Sequence, residues 1–153
     1  MQTEKNFTVK RSIIIKATDE AVWNVLTNPD LIKQYLFESH VETDWKVGSP
    51  ILFSRDRLNT TTKPTGKLIK DKGRILEINP GKLLKFSYWN SGEGYDDVPE
   101  NYSIITYTIE REKGNSLKLT HCREKIPIEF EKKNHENYLP GMLENMKILA
   151  EQQ

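Results

Sequence analysis

The chain has 153 residues, with 23 Lys and Arg against 22 Asp and Glu, a formal net charge of +1. That balance offers no global field to draw nucleic acid or an anionic membrane, and the length suits one domain, over 1–153, that buries a core without disulfides or metals. A single cysteine, Cys122, excludes an intramolecular bridge and fits a reducing compartment. The apolar run Ile13–Ile15 is too short for a secretory leader or a membrane span, so the expected location is the cytoplasm.

Alternation predicts a first strand over Phe7–Lys16, with Phe7, Val9, Arg11, Ile13 and Ile15 on one face. Thr18 stands at an N-cap position ahead of Asp19 and Glu20, and Val22, Trp23 and Leu26 give the following helix an apolar face. Asn28-Pro29 ends that helix and starts a second, whose buried stripe is Leu31, Ile32, Tyr35 and Leu36. Two short helices in tandem predict a V-shaped unit. Beyond Val41 the period becomes that of strands. One follows the Gly48-Ser49-Pro50 turn and carries Ile51, Phe53 and Arg55 on one parity. The stretch from Asp56 to Gly66 reads as a polar, exposed loop.

A strand over Lys67–Ile78 then meets a tight turn at Asn79-Pro80-Gly81, and the next runs over Lys82–Trp89 with Leu84, Phe86 and Tyr88 on one face. Asn90–Asn101 reads as an acidic, glycine-containing loop, a lid or a plain solvated turn. Two more strands carry Ile105, Tyr107 and Ile109, then Leu117, Leu119 and His121, with Gly114-Asn115 between them. The last segment, Glu129–Gln153, reads as helical in its second half, where Leu139, Met142, Met146 and Leu149 form one stripe. Pro140-Gly141 interrupts it. Either the helix begins near Asn137, or a longer helix kinks at the proline, and the kink is favoured.

The order strand, two helices, six strands, long helix resembles the helix-grip arrangement of the START-like, or polyketide-cyclase-like (SRPBCC), superfamily. The resemblance narrows on particular residues. Ala17–Leu36 (ATDEAVWNVLTNPDLIKQYL) is similar to the helix pair of the family named after the activator of the 90-kDa heat-shock-protein ATPase. Glu42–Phe53, with its Trp-x-x-Gly, is similar to that family's strand entry, Gly73–Trp89 to its paired central strands, and Leu143–Lys147 to its helix ending. The resemblance covers about Phe7 to about Glu151. It implies an α+β fold in which a curved antiparallel sheet wraps around a long C-terminal helix, with two short helices after the first strand. It also implies an internal pocket. The chain departs from the family pattern at Tyr35-Leu36, where many members have two tryptophans, and at Tyr138-Leu139, where many have Gly-Trp.

A pocket in such a fold would be lined by Phe53, Arg55, Arg74, Phe86, Tyr88, Tyr107, His121, Tyr138 and Met142. This is the mix of apolar wall and few polar groups that small-molecule sites use, although each aromatic also serves as plain core. His121 continues the inward face of its strand and would hydrogen-bond a ligand or act as a general base near neutral pH. The plainer alternative is a buried histidine held by a tyrosine or a carboxylate. Arg55 and Arg74 would meet a ligand carboxylate or phenolate, or else form ion pairs at strand ends. Arg74 has conflicting parity on its two sides, as a bulge would produce. Cys122 falls on the face opposite His121, which disfavours a Cys-His catalytic pair.

His40, His121 and His135 are scattered, and no metal-ligand spacing, phosphate-cradling loop, nucleophile elbow or dinucleotide fingerprint occurs. The sequence therefore predicts no cofactor and no metal. The expected partner is a hydrophobic or aromatic small molecule, with neither nucleic acid nor membrane. The leading reading is a binding domain. An enzyme of cyclase or hydrolase type comes second, and a chaperone-related interaction module third.

Overall fold

The computed structural model describes residues 6–58, 64–91 and 96–153. Its first strand, β1 (Phe7–Ile15), buries Val9 and Ile15 on one parity. Helix α1 (Asp19–Thr27) starts where Thr18 Oγ1 accepts from the Ala21 amide at 3.1 Å, and α2 (Pro29–Tyr35) where Asn28 Oδ1 accepts from the Asp30 amide at 3.0 Å. Both caps satisfy amides that a helix start leaves unpaired. The strands β2 (His40–Glu42), β3 (Pro50–Leu58), β4 (Pro64–Asn79) and β5 (Leu83–Tyr88) follow. A 3-10 turn at Pro99–Asn101 leads to β6 (Ser103–Arg111), β7 (Leu117–Ile126) and the long helix α3 (Glu129–Glu151).

All seven strands pair antiparallel in the order β1-β7-β6-β5-β4-β3-β2. The helix pair α1–α2 bridges the two edge strands. Alternate residues of β5, β6 and β7 (Leu84, Phe86, Ile105, Tyr107, Leu117, Leu119) point into the core, where they join Leu139, Leu143 and Met146 of α3. This is the α+β class expected from the sequence, a curved antiparallel sheet with three helices. Among the described residues no helix is long and apolar enough to cross a membrane.

The curvature has a local cause on β4. Its first part pairs with β3 as far as Arg74, and its last part pairs with β5 from Ile75 to Asn79. Between them the register slips opposite Phe86 and Lys85, so Ile75 is buried while Leu76 is partly exposed. That bulge is why the alternation around Arg74 conflicts in the sequence. Gly73 sits at the bend, where a Cβ would lie 1.7 Å from the Ser87 carbonyl oxygen.

Two expectations need correction. The polar stretch from Asp56 is not a loop throughout, because Asp56↔Leu68 and Leu58↔Pro64 extend the β3–β4 hairpin. Ladder hydrogen bonds need no hydrophobic alternation, and residues 59–63 lie outside the described residues. The C-terminal helix occupies both halves of its segment, running from Glu129 through Pro140 without a break. Its first half escapes a purely hydrophobic reading because the residues it buries there are Glu131 and His135.

Replacing Gly73 with Ala forces the β5 backbone away from β4. The expected loss is about 2 kcal/mol or more, a fall in melting temperature of roughly 5 °C for a chain of this size. Thermal and urea unfolding of Gly73→Ala against the parent check it.

Candidate functional site

The inward faces of β3, β5, β6 and β7 and the inner stripe of α3 meet at a cavity of about 50 Å³. Seven of the nine residues singled out in the sequence line it. They are Phe53 from β3, Phe86 and Tyr88 from β5, Tyr107 from β6, His121 from β7, and Tyr138 and Met142 from α3. Tyr35 and Leu36 at the end of α2 and Trp45 before β3 complete one side. Phe53 packs against Phe86 and Tyr88 with ring centroids 5.8 and 5.5 Å apart.

The two arginines of the sequence reading lie elsewhere. Arg55 Nη1 is 3.4 Å from Asp71 Oδ2, and its guanidinium stands 5.6 Å from the Phe37 ring. Arg74 donates to the Gly48 carbonyl at 2.8 Å, tying the turn before β3 to β4. Neither offers its charge to the cavity. Asp71 is itself buried and accepts from the Tyr88 hydroxyl at 2.7 Å and the Ser91 amide at 3.0 Å. Of the acidic loop, residues 92–95 lie outside the described residues. Asp97 pairs with Lys72 and accepts from the Tyr102 hydroxyl at 2.6 Å, contacts that hold its carboxyl below the usual range. That is a structural role.

The polar centre of the interior is a residue the sequence reading passed over. Arg123, one step beyond His121 on the same parity of β7, is 1% exposed and forms an ion pair with Glu131 of α3, which is 2% exposed. Its Nε donates to Ser103 Oγ at 2.8 Å, its Nη2 to Asn90 Oδ1 at 3.3 Å, and its guanidinium covers the Tyr88 ring at 5.1 Å. A buried cation survives only with partners of this kind. Burial opposes its charge, but Glu131 outweighs that and raises its pKa. The missed signal was the period: Arg123 extends the Leu117-Leu119-His121 alternation, and Glu131, His135, Leu139 and Met142 follow at helical steps.

Arg123 Nη1 also lies 3.3 Å from His135 Nδ1, which the Tyr138 hydroxyl approaches at 2.6 Å. His135 Nε2 is 2.8 Å from His121 Nε2. The histidine partners of the sequence reading, a tyrosine or a carboxylate, are thus replaced for His121 by a second histidine, with its ring edge-to-face on Tyr107 at 4.8 Å. Burial, then the neighbouring Arg123, pushes the His121 pKa down to about 3. Burial, then His121 and Arg123, pushes His135 down to about 2. Both rings are neutral at physiological pH, and burial raises the Tyr138 hydroxyl to about 12 and Tyr107 higher. A histidine so depressed is a weak general base. Among the described residues no three His, Cys, Asp or Glu groups gather as metal ligands would. Cys122 lies away from the cavity on the other sheet face, with Lys10, Thr106 and Glu124.

A second hollow adjoins the first. A cleft of about 260 Å³ between α2 and α3 is lined by Phe37, Gly141 and Asn145, and it shares Tyr35, Tyr138 and Met142 with the cavity. Phe37 is 55% exposed, has a left-handed backbone (φ 52°), and meets Tyr138 edge-to-face at 5.3 Å. An exposed phenylalanine held in that backbone region carries strain.

Comparison with known proteins places this architecture. The model of a family described as activator of Hsp90 ATPase homolog 1-like proteins matches residues 16–151. The chain belongs to that family. A protein from Cytophaga hutchinsonii, known from its solution structure, is 32% identical with a TM-score of 0.77, over 98% of this chain and 97% of that one. An Hsp90 activator from Plasmodium falciparum is 16% identical, with a TM-score of 0.67 over 95% of this chain and 96% of its own. The Aha1 dimer from Colwellia psychrerythraea gives 17%, 0.66, and coverage of 94% and 96%. The last two likenesses are of fold alone. No curated protein matches the chain. In this member of the activator-homologue family Tyr35, Leu36 and Tyr138 line the cavity, and Leu139 is fully buried.

Two outcomes follow from the buried cluster. Above pH 6.5 both histidines are neutral whether the chain is folded or not. Below it the unfolded chain takes up protons that the folded chain refuses until about pH 3 and about pH 2. Stability is therefore highest above 6.5 and falls by up to about 1.4 kcal/mol per pH unit for each ring as the solution is acidified. Urea unfolding at a series of pH values reads that slope. Arg123→Met leaves Glu131 buried beside an apolar chain and costs about 3–5 kcal/mol, whereas Arg123→Met combined with Glu131→Leu recovers most of the loss.

Proposed function

We infer that the domain binds a small apolar or aromatic molecule between the sheet and α3, in a cytoplasmic setting that suits its single cysteine. The observation that carries this reading is the aromatic wall of Phe53, Phe86, Tyr88, Tyr107 and Tyr138 around one hollow. Close-packed interiors rarely leave such a space without use. The cavity of about 50 Å³ has room for water-sized contents only. A ligand therefore enters by moving Tyr138, one of three side chains shared with the outer cleft and the one that touches Phe37 at its mouth. Joined, the two hollows reach the roughly 300 Å³ at which small-molecule sites begin. The movement gives up the hydrogen bond from Tyr138 to His135, a net cost of about 1 kcal/mol, and the edge-to-face contact with Phe37.

An enzymatic role is less well supported, because His121 has little basicity and its Nε2 is occupied by His135. A chaperone-activating role rests on the family's name and on the Plasmodium falciparum relative, at an identity that carries fold alone.

The test is a thermal-shift and NMR titration with benzene, indole and naphthalene. A probe at about a hundred times its dissociation constant should raise the melting temperature by roughly 5–10 °C. Shifted methyl resonances are expected at Leu84, Ile105 and Met142. Ile105→Phe, which fills the hollow, should abolish the effect. Probes that bind without disturbing those methyls, or that bind Ile105→Phe equally well, would overturn the reading.

A further inference from the structure

The buried cluster fixes where every proton sits, and one donor is left over. A guanidinium has no acceptor, so the His135 nitrogen that faces Arg123 Nη1 at 3.3 Å presents a lone pair. The same Nδ1 accepts from the Tyr138 hydroxyl at 2.6 Å. The proton of His135 is then on Nε2, which donates to His121 Nε2 at 2.8 Å. His121 accepts there, and its own proton must be on Nδ1. That Nδ1 is buried, belongs to a ring 1% exposed in the cavity wall, and has no hydrogen-bond partner among the described residues. The edge-to-face contact with Tyr107 is at most a weak substitute. An orphaned N–H in an apolar site costs about 1–3 kcal/mol, which a ligand acceptor would recover.

We propose that the cavity ligand is a neutral aromatic molecule with one carbonyl-type oxygen, which accepts the Nδ1–H of His121. The proposal rests on the binding function inferred above and adds the polar half of its chemistry. The charges decide neutrality. Arg123 is already matched by Glu131, and Arg55 by Asp71. Among the described residues lining the cavity there is no cation, and a carboxylate or phenolate would be buried uncompensated. This removes the anionic ligand that Arg55 and Arg74 suggest in the sequence. The donor is also directional. The chain from Glu131 through Arg123 and His135 to His121 locks the tautomer, so the site presents a donor and never an acceptor at that position.

Two measurements test it on the full chain. Long-range proton–nitrogen correlation spectra of protein labelled at histidine report the tautomers directly. The expected result is Nδ1–H for His121 and Nε2–H for His135, and acetophenone should move the His121 Nδ1 signal. An Nε2–H tautomer at His121 would overturn the proposal without any variant. The second measurement compares acetophenone with α-methylstyrene, which has the same planar shape and no acceptor, in the parent and in His121→Leu. The affinity ratio of ketone to hydrocarbon should fall roughly tenfold in the variant. An unchanged ratio with both probes bound would sink the acceptor inference and leave the binding function standing. Failure of both probes to bind the parent would instead bring down the binding function and the inference with it. Benzoate binding more tightly than acetophenone would refute the neutrality argument.

Discussion

A positive charge buried between sheet and helix governs the rest of this interior. Arg123 projects from β7 into the buried interior, and an isolated guanidinium there would be prohibitively unstable. Everything around it answers that demand: Glu131 supplies the counter-charge, Ser103 and Asn90 take further N–H groups, and the Tyr88 face covers the plane. Because Glu131 lies in the first turn of α3, satisfying the charge also pins that end of the helix to the sheet. His135, one turn further on, is oriented by the same guanidinium, and through it His121. Hydrophobic burial makes this domain fold, but the arginine decides how the helix is seated and orients the two buried histidines.

The sequence carried the architecture well because it is written in periods. Alternation on β1, β5, β6 and β7, the Thr18 and Asn28 caps, and the turn glycines each have a local physical cause, and the structure contains them where expected. The aromatic wall was legible for the same reason, since inward parity and the stripe on α3 bring Phe53, Phe86, Tyr107, His121 and Met142 to one place. The polar cluster was not. Glu131 and His135 read as surface on a hydrophobicity pattern, and only a long-range pairing with Arg123 makes them interior. The facing of Arg74 stayed open in the sequence because the bulge that follows it is a property of two strands at once. Pairwise constraints between distant segments are the part a single sequence hides.

Family membership and the interior chemistry inform different questions. The family model accounts for nearly the whole course of the chain, which explains why solved structures with little sequence identity superpose on it. Backbone geometry here is set by caps, bulges and core periodicity, while the cavity surface is set by a few replaceable side chains. The tyrosines at positions 35 and 138 illustrate the point, because both line the hollow and only one joins the polar cluster: the Tyr35 hydroxyl donates to the Val25 carbonyl at 2.9 Å.

The proline within α3 has a further effect. Pro140 has no amide hydrogen, so the carbonyl of Glu136 loses its helical partner just ahead of the cavity residues Tyr138 and Met142. The helix is continuous in shape but not in cooperativity. Its opening half is clamped by the arginine ion pair, and its closing half by Leu143, Met146 and Ala150 in the core. The missing bond lies between these two anchored halves, and amides just after it should exchange with solvent through fluctuations that leave both halves intact. A helix assembled in this way can breathe at its waist, beside the hollow, while remaining anchored at both ends.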